Sequence, residues 1–170
     1  MPPRGTRPTA DRAREALFNT LATEVVLEGS AVLDLFAGSG AVGLEALSRG
    51  AARAVFVESD RRAAAVLEAN VKVVGLPGAT VHRCTAETFL AAVGAEDPFD
   101  VVFADPPYAF SATLLSMMLA QLATQRWLAP DAVVVIERSS RDPEPTWPDE
   151  IKAMKQRRYG EGSLWYGRRV

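Results

Sequence analysis

Residues 31–43 constrain this chain more than any other stretch. The apolar run Ala31-Val32-Leu33-Asp34-Leu35-Phe36 leads directly into Ala37-Gly38-Ser39-Gly40-Ala41-Val42-Gly43. A short, nearly continuous apolar run reads as a strand covered on both faces. Gly38 and Gly40 lack Cβ, so they can take positive φ and let a ligand approach the backbone closely. The amides that open the following helix face the same space, because the first turn of a helix leaves its N–H groups without internal partners. A buried strand, a glycine turn and a helix in this order point to a parallel βαβ unit with a ligand at its turn.

The rest of the sequence repeats that alternation. The spacing predicts helices over residues 10–23 (with Thr9 as N-cap), 42–49, 60–75, 86–93 and 110–127. Ala13, Ala16, Leu17, Phe18 and Leu21 form the apolar stripe of the first, and Gly50 is placed to end the second. Strands are predicted at 31–36, 54–57, 80–82, 99–104 and 132–137, followed by a loop broken by Pro143, Pro145 and Pro148. Tyr159 and the 163–168 segment suggest a final antiparallel pair. The expected fold is α/β: a doubly wound, Rossmann-like, mostly parallel sheet with helices on both faces. At 170 residues the chain has the size of one domain with its own core, residues 1–8 forming a basic extended arm.

The glycine turn by itself matches a dinucleotide fingerprint, with Glu58 twenty residues beyond Gly38 at the next strand's end. An NAD-binding oxidoreductase is therefore a real alternative, and a tight turn that binds nothing is the bland one. Asp34 tilts the choice toward S-adenosylmethionine. A carboxylate at that strand end can meet a cationic amino group, whereas beside a pyrophosphate it would face like charge. Glu58 can hold ribose hydroxyls under either reading.

Asp105-Pro106-Pro107-Tyr108 follows the apolar strand 99–104. Two prolines fix φ and remove two amide donors, which leaves carbonyls free to accept. A nucleobase amine presents two N–H donors, and the Asp105 carboxylate and Pro106 carbonyl supply acceptors for them. Held this way, the amine nitrogen is aimed at a methyl donor, so catalysis is mainly positioning. Tyr108 offers a flat face for an extruded base. The plainer alternative is a strand-ending turn with a core tyrosine. An NAD enzyme would leave the motif without a role and would lack a candidate proton donor.

Cys84 is the single cysteine and His82 the single histidine, so neither an intrachain disulfide nor a zinc site is expected, and no metal is required. No apolar run of membrane-spanning length and no signal-peptide pattern occur, which gives a cytoplasmic expectation and no membrane partner. Net charge is −2 but unevenly spread. Residues 1–14 and 151–170 together hold ten basic residues against two acidic ones, and the middle holds nine against nineteen. Arg4, Arg7, Arg157 and Arg158 are thus candidate contacts to RNA phosphates, the alternative being two solvated basic ends.

These motifs resemble the RsmD-like family, which methylates guanine N2 in 16S ribosomal RNA. The resemblance runs through Arg7-Pro8-Thr9, Arg14-Glu15-Ala16-Leu17-Phe18-Asn19, residues 33–51, Phe56-Val57-Glu58, Asp105-Pro106-Pro107-Tyr108 and Tyr159-Gly160. It implies S-adenosylmethionine contact near Asp34, Ala37, Gly38, Gly40, Glu58 and, at the adenine, Ala86. It implies contact with the target base at Asp105, Pro106 and Tyr108, with ribosomal RNA or the small ribosomal particle as partner and a monomeric enzyme. A DNA adenine or cytosine amino methyltransferase could use the same four-residue motif but usually carries a separate recognition domain. A catalytically silent RNA-binding module would be expected to lose the glycine turn or Asp105. Two departures stand out. The family pattern places a basic, glycine-containing hairpin before Arg7, so a shortened N-terminus is expected. Its late Tyr-Gly-Asp-Thr is here Tyr159-Gly160-Glu161-Gly162.

Overall fold

The computed structural model describes residues 8–92, 97–124 and 126–170. Twelve elements follow one another: α1 (Pro8–Glu24), β1 (Ala31–Asp34), α2 (Ala41–Ser48), β2 (Arg53–Val57), α3 (Arg61–Val74), β3 (Ala79–His82), α4 (Ala86–Ala91), β4 (Phe99–Ala104), α5 (Ala112–Thr124), β5 (Leu128–Ser139), β6 (Ile151–Tyr159) and β7 (Gly162–Arg169). They build one seven-stranded sheet in the order β3-β2-β1-β4-β5-β7-β6. β7 runs antiparallel to both of its neighbours, and every other pairing is parallel. The doubly wound α/β expectation holds.

Burial follows position in the sheet. Central β1 is buried at all four residues, because helices cover both of its faces, while edge strand β3 alternates half-buried and exposed. Leu17, Phe18 and Leu21 of α1 join Leu47 of α2 and Leu67 of α3 against Val32, Phe56, Phe103 and Val135 on one face. Leu90 of α4 and Leu115, Leu119 and Leu122 of α5 cover Leu33, Val102, Val134 and Ile136 on the other. Each of these side chains contributes about 1.5–3 kcal/mol of transfer free energy. Local signals set the ends: the Asp60 carboxylate accepts the Ala63 amide at the start of α3, and Thr85 accepts the Thr88 amide at the start of α4.

Several boundaries differ from expectation. α1 begins at Pro8, so Thr9 lies inside the helix and not at its cap; proline's fixed φ and missing N–H suit a first helical turn. α5 spans only Ala112–Thr124, with the Ser111 hydroxyl accepting the Leu114 amide, and Trp127 packs against Phe89 and Phe99 instead of continuing the helix. Leu35 and Phe36 leave the strand for the turn. β6 is a full nine-residue strand, where the sequence reading marked only Tyr159. Its pattern of lysines and arginines disguises it, but charged residues suit the outer edge of a sheet, where they discourage further pairing.

Candidate active site

The sheet order reverses between β1 and β4, which pair through Asp34 and Phe103. Ligand crevices of doubly wound sheets open at such a reversal, outside the carboxyl ends of the strands. The glycine turn after β1 and the Asp-Pro-Pro-Tyr segment after β4 therefore meet at one edge.

The turn is held from several sides. The Ala37 amide donates to the Val57 carbonyl at 3.0 Å, and the Gly40 amide to the Ala37 carbonyl at 2.8 Å. Asn70 of α3 donates to the Ser39 carbonyl at 2.9 Å. Gly38 and Gly40 have φ of 56° and 89°, values that side-chain-bearing residues rarely adopt. A Cβ on Gly40 would press on Leu67 at 2.3 Å, whereas one on Gly38 would enter open space. Gly38 is thus required for backbone shape, and the room beside it is available to a ligand.

Glu58, at the end of β2, accepts the Gly38 amide at 2.7 Å through one oxygen and the Asp60 amide at 2.8 Å through the other. The Gly38 amide is thus spent on Glu58, which leaves the amides that open α2 as the ones available to a ligand. Each carboxylate oxygen keeps a further lone pair for a hydroxyl.

Asp34 is 2% exposed, and its Oδ1 has no hydrogen-bond partner among the described residues. Burial pushes its carboxyl up to about 7, the Gly43 backbone amide opposes this, and the charge of Glu58 adds to it. A buried acceptor without a donor is costly, about 1–3 kcal/mol or more for a charged group, and marks a place for an external donor. An ammonium group fits that demand and a pyrophosphate does not.

Two adjoining hollows share Phe36. One, of about 230 Å³, lies between α1 and the sheet and is lined by Ala13, Arg14, Asp34, Gly38, Asp105 and Glu137 among others. The second, of about 220 Å³, is lined by Glu58, Cys84, Ala86, Pro107 and Phe110 among others. Ala37 and Gly38 line the first, and Ala86 the second, against its buried methyl. Gly40 lines neither; it shapes the turn.

Asp105 is accessible to solvent, but protein crowded around it and the like charges of Glu137 and Asp34 push its carboxyl up to about 7, against the pull of Arg138. The Phe110 amide closes a turn onto the Pro107 carbonyl at 2.8 Å, leaving the Pro106 carbonyl without a hydrogen-bond partner among the described residues. The Tyr108 ring is wholly exposed, so the core-tyrosine alternative fails.

Glu137 was not singled out in the sequence, and Tyr159 only as part of the final strand pair and of the Tyr159-Gly160 motif. Burial raises the Glu137 carboxyl, and the Tyr159 hydroxyl approaches it without reaching hydrogen-bond geometry. Glu137 belongs to no short motif, so only strand pairing reveals its place beside Asp105.

The basic ends part company. Arg4 and Arg7 lie outside the described residues. Arg157 and Arg158 are exposed near the carboxyl end of β6, on the crevice side of the sheet. Lys155 and Arg168 both pair with Glu24, at 2.7 and 2.8 Å, and Arg169 donates to the Leu128 carbonyl. Those three cations are engaged within the fold, whereas Arg157 and Arg158 remain exposed. No helix among the described residues is long and apolar enough to cross a membrane, and no cluster of potential metal ligands occurs among them.

Comparison with known proteins agrees with this geometry. The family described as Conserved hypothetical protein 95 matches residues 1–168. Ribosomal RNA small subunit methyltransferase D of Escherichia coli is 43% identical over 144 residues, covering 85% of this chain and 70% of the relative. The protein of the same name from Haemophilus influenzae is 36% identical, covering 92% and 79%. The solved structure named "Putative methyltransferase yhhF from Escherichia coli" superposes with a TM-score of 0.85 at 36% identity, over 98% of this chain and 89% of that one. The chain belongs to the Conserved hypothetical protein 95 family, the family of the RsmD-like ribosomal RNA methyltransferases.

Proposed function

We infer that this chain is an S-adenosylmethionine-dependent methyltransferase that modifies guanine N2 in small-subunit ribosomal RNA. It works as a single, monomeric catalytic domain in the cytoplasm. The observation that carries the reading is the pairing of β1 with β4, which sets Asp34, with its unpartnered Oδ1, and Asp105 on one cavity. Relatives named as ribosomal RNA methyltransferases supply the substrate class.

Asp34 receives the cofactor's ammonium group, the Gly38 turn leaves room for its amino-acid end, and Glu58 accepts its ribose hydroxyls. Ala86 and Pro107 line the hollow suited to its adenine. When bound, S-adenosylmethionine supplies an electrophilic sulfonium methyl. The chain's own part is to hold the attacking amine. Asp105 accepts one N–H and the Pro106 carbonyl the other, which turns the nitrogen lone pair toward the methyl. Methylation would make the amine proton strongly acidic, and Asp105 would be placed to take it and pass it to water. Tyr108 stacks on the extruded base, and Arg157 and Arg158, with Arg4 and Arg7, hold phosphates away from the reacting atoms.

The test is tritiated-methyl transfer onto small-subunit RNA and onto the assembled particle, followed by nucleoside analysis. N2-methylguanosine is the expected product. Calorimetric binding of NAD without binding of S-adenosylmethionine, or label on no base amine, would overturn the reading.

A further inference from the structure

Asp105 is not the only carboxylate aimed at the target. β4 and β5 pair in parallel with Ala104 opposite Ile136, so Asp105 and Glu137 follow side by side at the same depth. Both line the cavity between α1 and the sheet. Phe103 and Val135, two residues earlier on each strand, belong to the α1-side core, and successive side chains of a strand alternate faces, which puts Glu137 on the same face. Among the described residues no cation pairs with it there. Arg14, which also lines the cavity, is bonded to Glu45 and Asp11, and Arg138 donates to the Phe110 carbonyl and pairs with Asp142. The Tyr159 hydroxyl lies near it but has no hydrogen-bond partner among the described residues.

The three amino-bearing bases differ in what stands beside the amine. Adenine N6 adjoins the N1 lone pair, and cytosine N4 adjoins the N3 lone pair. Guanine N2 lies between the N1–H donor and the N3 lone pair, so it alone of the three has a ring donor beside it. With Asp105 engaged by the amine, a second carboxylate one strand over would repel a ring lone pair and would accept a ring N–H. We propose that Glu137 is a specificity-determining residue that selects guanine by accepting its N1–H while Asp105 holds the adjacent amine. This assignment rests on the methyltransferase reading above. A site built to accept that hydrogen rejects bases lacking it, because a docked base would cover the half-buried Glu137 without giving it a donor.

The test replaces the guanine identified by nucleoside analysis with 2-aminopurine, which keeps the 2-amino group but presents a lone pair at N1. The native enzyme is expected to prefer guanine by about 100-fold or more in kcat/KM. Glu137→Gln offers an N–H donor to that lone pair. It should lower transfer to guanine at least about tenfold and shrink the preference over 2-aminopurine to within about tenfold. Comparing ratios cancels the loss of O6, which is common to both enzymes. Cofactor affinity within about twofold of native certifies a folded variant. If Glu137→Gln does not fold, Glu137→Asp serves: it keeps the acceptor and should retain the preference at a lower rate. A guanine preference unchanged in Glu137→Gln, or lost in Glu137→Asp, overturns the assignment. Absence of guanine methylation by the native enzyme overturns the underlying reading instead.

Discussion

The Glu58 carboxylate holds the Gly38 amide at 2.7 Å, tying the end of β2 to the turn after β1. Two residues twenty positions apart thus form one unit, and the side chain suited to ribose also sets the shape of the glycine turn. Glu58→Ala should weaken S-adenosylmethionine binding at least tenfold, since a charge-assisted contact contributes about 1.5–3 kcal/mol. It should also speed amide hydrogen exchange at Gly38. Calorimetry with exchange measurements checks both, and weaker binding with undisturbed exchange would separate the two roles.

Asp34 gives a pH signature. Its carboxyl in the folded, ligand-free protein titrates near 7 because burial penalises the charge, well above the ordinary value of 3.8. Between about pH 4 and 7 the folded state therefore holds more protons than the unfolded one, and stability falls as pH rises through that window. Asp105, raised for related reasons, adds to the same slope. Asp34→Asn should flatten part of the decline, at about 2–4 °C in Tm for each kcal/mol recovered. Cofactor affinity should rise with pH through about 7, because the ammonium prefers the ionised carboxylate. Asp34→Asn should remove that dependence and bind at least about tenfold more weakly. Thermal scans and calorimetry between pH 5 and 8 provide the check.

Asp105→Ala should leave cofactor affinity nearly unchanged and lower methyl transfer by orders of magnitude, because the contact it removes is made to the attacking amine. Tyr108, wholly exposed in the free protein, has no structural duty to lose. Tyr108→Phe should retain activity, whereas Tyr108→Ala should weaken productive RNA docking by about 1–3 kcal/mol, the worth of one stacked base. Single-turnover rates against RNA concentration distinguish these outcomes.

The cations of the last two strands should separate into two groups. Replacing Arg157 and Arg158 with alanine should weaken RNA binding and lower the slope of log affinity against log salt by at most about two, with no change toward cofactor. Arg168→Ala should leave the slope alone and lower Tm, because Arg168 bonds the Glu24 carboxylate, the Glu24 carbonyl and the Asp131 carbonyl. An unchanged slope in the double variant would show the arginine pair to be ordinary solvated surface.

What the sequence determined by itself was local. Apolar runs of strand length, glycines placed for positive φ and helix caps specified most of the elements. The Asp34–Gly43 turn and Asp105–Tyr108 were legible because each packs its chemistry into a few consecutive residues. Where local signals misled, a tertiary neighbour had overruled them. Trp127 reads as helix but is drawn into the core by Phe89 and Phe99. The charges of β6 read as a polyanion-binding tail, yet Lys155 meets Glu24 across 131 positions of chain. Only the tertiary structure decided that Asp34 lacks a partner, that Glu137 stands beside Asp105, and which arginines remain on the crevice side. The physical reason is that desolvation, strand register and ion pairing are set by residues far apart in sequence, so no window along the chain contains them.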